Sequence, residues 1–360
     1  MTIYFLIFLY PILAYFFLPK NVFYLDTVAY IFFALILIIV IGLRYEVGGD
    51  WAVYESINLL YRGVEGLPFG DLFQSKYFLE DFGYILLNWI GFNLGYGVTT
   101  TNILVAIIFV LGLFKFAHYT QNRWLALVIS IPYMVTVVSM GYTRQSAALG
   151  LVMIGLVLLN KAKIGKFFFI ILLATLFHKS ALAVSILGFR NFAVKTKNHR
   201  NPLTTILFFL SFVAISSYVF MDYLQNKILL YILDPHTSSS GAFIRISISF
   251  VAAIFFIVYK KEWAQKFNDT KIWNLFSWLI VLSLFLFVFN LSVVVDRLAI
   301  YALPLQMIVF SRLPFFVENI NLKFLLIILI IFFYFLTHYV WLELGAYSPF
   351  WVPYKNFLFS

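Results

Sequence analysis

Apolar residues in this chain run in blocks close to the ~17–25 residues that a helix needs to cross a bilayer. Such blocks cover 2–18, 28–43, 99–116, 124–140, 145–160, 203–221, 243–259, 272–290, 298–313 and 324–341. Two segments break the pattern. Residues 82–97 are interrupted by Gly and Asn, and 165–190 carry His178-Lys179-Ser180 in the middle of an apolar stretch. The pattern predicts an all-α polytopic membrane protein, with 1–360 as a single integral membrane domain. The first block lacks a basic start and a small-residue cleavage site, so it reads as a retained span.

Composition strengthens this reading. Hydrophobic residues make up 63% and charged residues 11%, where soluble domains carry roughly 45–50% and about 25%. The 44 Phe, 23 Tyr and 8 Trp are more apolar surface than a soluble globule hides. A net charge of +10 would suggest nucleic acid in a soluble chain. Here the basic residues lie in short connections between spans and report topology instead, so no nucleic-acid partner is expected. With no cysteine, disulfides, thiolate metal sites and Cys nucleophiles are excluded.

Charge places the two ambiguous segments. The stretch 44–82 carries Arg44, Arg62 and Lys76 against seven acids and belongs outside. The connections 115–123, 161–166, 190–200 and 260–271 are rich in Lys and Arg and belong in the cytoplasm. These agree if 82–97 forms an outer interfacial helix that does not cross. Residues 165–190 must then be a hairpin of two short helices with His178 near its outward tip. The result is about 12 transmembrane helices, both termini outside, and external loops at about 44–98 and 222–242. Sixteen basic residues then face the cytoplasm with four acids, Asp26, Glu262, Asp269 and Glu318.

On that topology the unusual polar groups collect on the outer side. Ionisable side chains bordering apolar spans are costly and usually have a partner or a wet cavity. Arg44, Arg144, Arg245 and Arg297 suit an anion with several oxygens, because each guanidinium presents a planar fork of donors. In GLRYEVGGDWAVYESI (42–57), Gly48-Gly49 permits a tight turn that sets Asp50 and Trp51 together. An acid beside an aromatic ring is a sugar-holding pair, and Tyr54 lies one turn on. An interfacial aromatic anchor with a solvated turn is the plainer alternative.

Arg144 opens the small-residue stretch of GYTRQSAALG (141–150), and His178 in FHKSAL (177–182) is placed to act as a base. Ser180 beside His178 does not make a triad. In DRLAIYALPLQ (296–306), Arg297 and Tyr301 share a helix face, while Asp296 is expected to cap that helix. Arg245 follows the Pro/Ser/Gly-rich loop 231–241. No His/carboxylate spacing typical of a metal site is present, and no cofactor is expected. His118, His199 and His338 receive no role.

Together RYEVGGDWAVY (44–54), TRQSAA (143–148), FHKSAL (177–182) and DRLAIYALPLQ (296–306) resemble, in order, the EpsG family of Wzy-type exopolysaccharide and O-antigen polymerases. The resemblance implies a glycosyltransferase of C-like architecture in the bacterial inner membrane, working at its outer face. Its substrate would be oligosaccharide repeat units on undecaprenyl pyrophosphate, with the lipid bilayer and a chain-length regulator as candidate partners. Arg44, Asp50, Arg144, His178 and Arg297 match the family's polar pattern, with Tyr54 and Tyr301 secondary. From chemistry, Asp50 or His178 is the candidate base. Arg44, Trp51, Tyr54, Arg144, Arg245, Arg297 and Tyr301 are candidate substrate contacts. A membrane acyltransferase using His178, or a lipid-oligosaccharide flippase, remains as an alternative.

Overall fold

A computed structural model describes residues 1–19, 22–61, 81–189, 242–284 and 292–359. The side chains of 57–61, 242–245 and 292–294 lie outside that description. So do the span expected at 203–221, the loop 222–241 and the Arg245 side chain.

Apolar runs become helices because a backbone without water must satisfy its polar groups internally. In order these are α1 (Thr2–Phe17), α2 (Phe23–Gly42), α3 (Trp51–Tyr61), α4 (Phe82–Asn93), α5 (Gly97–Tyr119), α6 (Arg123–Ser130), α7 (Thr143–Asn160) and α8 (Ile164–Thr175). After a 3-10 helix at Lys179–Ser185 come α9 (Ala242–Val258), α10 (Lys260–Lys266), α11 (Thr270–Ser283), α12 (Ser292–Arg312) and α13 (Ile320–Tyr339). Nearly every predicted block within the described residues falls on one of these helices. Among the described residues, five segments are long and apolar enough to cross a membrane: Phe23–Gly42, Gly97–Tyr119, Thr143–Asn160, Val295–Phe316 and Ile320–Leu344.

The spans differ in what surrounds them. Those built on α7 and α12 are 72% and 78% buried, whereas those of α2 and α13 are 28% and 17% buried. The first pair forms the centre; the second presents Ile31, Leu35, Phe324 and Phe332 outward, as lipid-facing helices do. The α5–α7 contact is tight. A Cβ at Gly112 would lie 2.0 Å from the Gly150 carbonyl oxygen, so only small residues allow that approach. Beyond α6 the chain widens into a π-helix, Ile131–Ser139, with Pro132 at its start removing one donor from the ladder.

Both ambiguous segments form short helices. The 12-residue α4 spans about 18 Å at 1.5 Å per residue, too short to cross. α8 and the 3-10 helix fold into a hairpin, with Gly188 against Phe167 and Phe168 and His178 at the turn. One expectation fails. Asp296 does not cap α12, because that helix begins at Ser292 and Asp296 sits in its second turn. Val294 and Val295 extend the helix upstream of the acid, and apolar β-branched residues there hide the true start.

Candidate functional site

The site begins where α2 ends. Beyond Gly42 the backbone meets the C-terminal segment: Phe357 N–H donates to Leu43 O (2.8 Å) and Tyr45 N–H to Lys355 O (3.1 Å). An isolated antiparallel bridge pairs Arg44 with Asn356, and Gly48 N–H donates to Phe350 O (2.8 Å). Gly48 has φ +113°, and a Cβ there would sit 2.2 Å from the Met140 carbonyl oxygen, so glycine is required twice over. Trp351 is buried against Gly141. Its Nε1 donates to Thr136 O (2.7 Å), and its own carbonyl accepts from Tyr4 OH (2.6 Å). The C-terminal strap thus fixes the turn carrying Asp50.

Arg44 stands apart from any open surface. It is 1% exposed; Nη1 donates to Ile41 O (2.6 Å), and Nη2 to Asn102 Oδ1 (3.0 Å) and Thr143 Oγ1 (2.8 Å). Its fork joins the end of α2 to α5 and to the first residue of α7. Asp50 contrasts with it. The half-buried carboxylate makes no hydrogen bond or ion pair among the described residues. Burial pushes its pKa above the usual carboxylate value, against the pull of Arg297 and Arg144.

Those two arginines enter from the central helices. Arg144, at the start of α7, bonds Asp81 through Nη1 (2.7 Å) and lies 6.0 Å from the Tyr54 ring centroid. Arg297, on α12, donates to Gln145 Oε1 (3.0 Å). Tyr142, just before α7, feels the charges of Asp296, Asp50 and Arg297, and its pKa is raised mainly by burial. Asp50, Tyr54, Arg144 and Arg297 therefore share one neighbourhood. Trp51 packs edge-on against Tyr45 at 5.7 Å, on the near side of the same turn.

His178 belongs to an adjoining group. Its Nδ1 is 2.6 Å from Ser180 Oγ, which donates to Tyr301 OH at 3.4 Å. Gly83 N–H donates to Leu176 O (2.8 Å), so the first turn of α4 links this loop to Asp81 and hence to Arg144. Tyr301 also lines an apolar cleft of about 270 Å³ with Val184, Leu187, Ile246, Ile280 and Leu298. Sequence reasoning passed over Asp81, Tyr142 and Gln145 and set Ser180 aside. Three of these lie within two residues of a singled-out Arg144 or His178, which was the available signal; nothing local marks Asp81.

These features define a polytopic helical membrane protein with arginines and a carboxylate, unpaired among the described residues, converging at one end of its bundle. The EpsG family profile matches residues 27–356, and the chain belongs to that family, a Wzy-type polysaccharide polymerase family. No curated protein and no solved structure matches the chain.

Proposed function

We propose that the chain joins oligosaccharide repeat units carried on undecaprenyl pyrophosphate, by glycosyl transfer at the outer face of the bacterial cytoplasmic membrane. The observation that carries this is Asp50: a half-buried carboxylate with no hydrogen bond or ion pair among the described residues, within electrostatic reach of Arg144 and Arg297. The acceptor sugar's hydroxyl oxygen attacks the anomeric carbon of the growing chain while its proton passes to the Asp50 carboxylate. The anomeric carbon–oxygen bond breaks, and lipid pyrophosphate leaves with the electron pair. Arg144 and Arg297 meet the charge developing on that leaving group, the largest stabilisation such a site offers.

Arg44 is assigned a positioning part, since its donors are consumed inside the protein. Trp51 and Tyr54 supply ring faces for a sugar, and Tyr301 is a contact nearer the lipid. Arg245 is kept from the sequence motif as a further anion contact. Gln145 Nε2 and Ser146 Oγ are buried without a hydrogen-bond partner among the described residues, a cost of ~1–3 kcal/mol each that polar substrate groups offset. A second reading gives the base role to His178, because the His178–Ser180–Tyr301 contacts fix its ring and offer a proton path.

The test is the polysaccharide profile of a deletion strain carrying wild type or Asp50→Asn. Lipid carriers bearing single repeat units, with polymer restored by wild type alone, are expected. Absence of any repeat unit at the outer face would instead indicate a flippase. A normal ladder with Asp50→Asn and a lost one with His178→Gln would move the base to His178.

A further inference from the structure

The opposite end of the bundle holds a second cleft, of about 650 Å³. Its floor is polar and fixed. Asp26 at the start of α2 is bonded by Arg123 and by Trp124 Nε1 (2.7 Å), and Arg123 lies 4.5 Å over the Tyr30 ring. At its rim stand Lys323 and an exposed His118. Lys323 has no acid partner among the described residues; its Nζ is 5.7 Å from the Phe315 ring centroid. The walls include Ala14, Tyr15, Leu18 and Phe23.

Three observations converge. The cleft carries a surplus of positive charge, because its single carboxylate is already neutralised by Arg123. Its lining includes residues of α2 and α13, the two candidate spans least buried by protein. Tyr15, Trp124 and Phe315 ring it, matching the aromatic belt of a membrane–water interface. Basic recesses between transmembrane helices bind anionic headgroups.

We propose that this cleft binds an anionic glycerophospholipid, with its phosphodiester on Lys323 and its acyl chains along α2 and α13. The site is separate from the Asp50 end and needs no assumption about polymerisation. A bound lipid here bridges α1, α2, α6 and α13, and so braces the outer ring of the bundle.

The test is native mass spectrometry on the detergent-purified full chain, supplied with phosphatidylglycerol, phosphatidylcholine or inorganic phosphate. Phosphatidylglycerol should be retained at least about fivefold better than phosphatidylcholine. Lys323→Gln should weaken that retention about fivefold, and Lys323→Arg should keep it. Lys355→Gln, at the other end, should match wild type. Equal retention of the two lipids, or undiminished phosphatidylglycerol on Lys323→Gln, overturns the proposal. Displacement of the lipid by millimolar phosphate overturns it too, and marks a bare anion site.

Discussion

Both ends of the bundle carry arginines and aspartates, yet they are wired differently. At one end Arg312, fully buried, bonds Asp269 at 2.8 Å and Thr120 O at 3.3 Å. The Phe267 and Tyr119 rings cover it at 4.3 and 5.4 Å. Asp26 is likewise closed by Arg123 and Trp124. Acid meets base in both of these pairs. At the other end, among the described residues, Asp50 makes no hydrogen bond or ion pair, and Arg297 donates to a neutral amide. Arg144 keeps a third of its side chain exposed beside Asp81. Enclosed, paired charge braces the helices; charge left partly exposed or without an ion pair is available for chemistry.

If that contrast holds, the two ends fail in different ways. The largest effect should come from Arg312→Ala, which leaves the buried Asp269 carboxylate without its counter-charge and with the Tyr119 hydroxyl as donor, at a cost of ~3–5 kcal/mol. Folded protein recovered from membranes should drop sharply, as read by size-exclusion chromatography. Next, Arg144→Lys and Arg297→Lys keep charge but lose the fork. One charge-assisted hydrogen bond is worth roughly 1.5–3 kcal/mol, so polymerisation should slow about 10- to 100-fold, with protein amount unchanged.

Acidity offers another separation. A base must be ionised to work, and burial raises the Asp50 pKa. Polymerisation should therefore fall with decreasing pH through a midpoint above the usual ~3.9. The stability sign is the reverse. A raised folded-state pKa means stability is greatest with Asp50 protonated and is lost as pH rises from the unfolded value through the folded one. Gly48→Ala should cost ~1–3 kcal/mol through backbone strain and shorten the polymer by shifting the Asp50 turn. Lys197→Arg, on the side assigned to the cytoplasm, should leave the ladder of chain lengths as in wild type.

Much of the framework was legible because lipid imposes a simple rule on composition. Runs of apolar residues gave the helices, and charge bias gave the short α4 and the hairpin at His178. Arg44 was harder. A guanidinium at the mouth of a span reads the same whether it meets substrate or protein, and its partners lie 58 and 99 residues away. The Trp351 strap was hidden for the same reason: its contacts with Thr136 and Tyr4 are long-range. Asp81 was visible only as one acid among seven in 44–82, and folding alone selects it for Arg144.

The most direct test of an unpaired working carboxylate is Asp50→Asn, measured for chain length and thermal unfolding in one membrane preparation. Removing a half-buried charge whose ionisation opposes folding should leave the unfolding temperature unchanged or raised at neutral pH. Polymer should fall at least ~100-fold, the scale of a lost general base. A wild-type ladder at equal protein level, or a ladder lost together with the folded protein, would contradict the account.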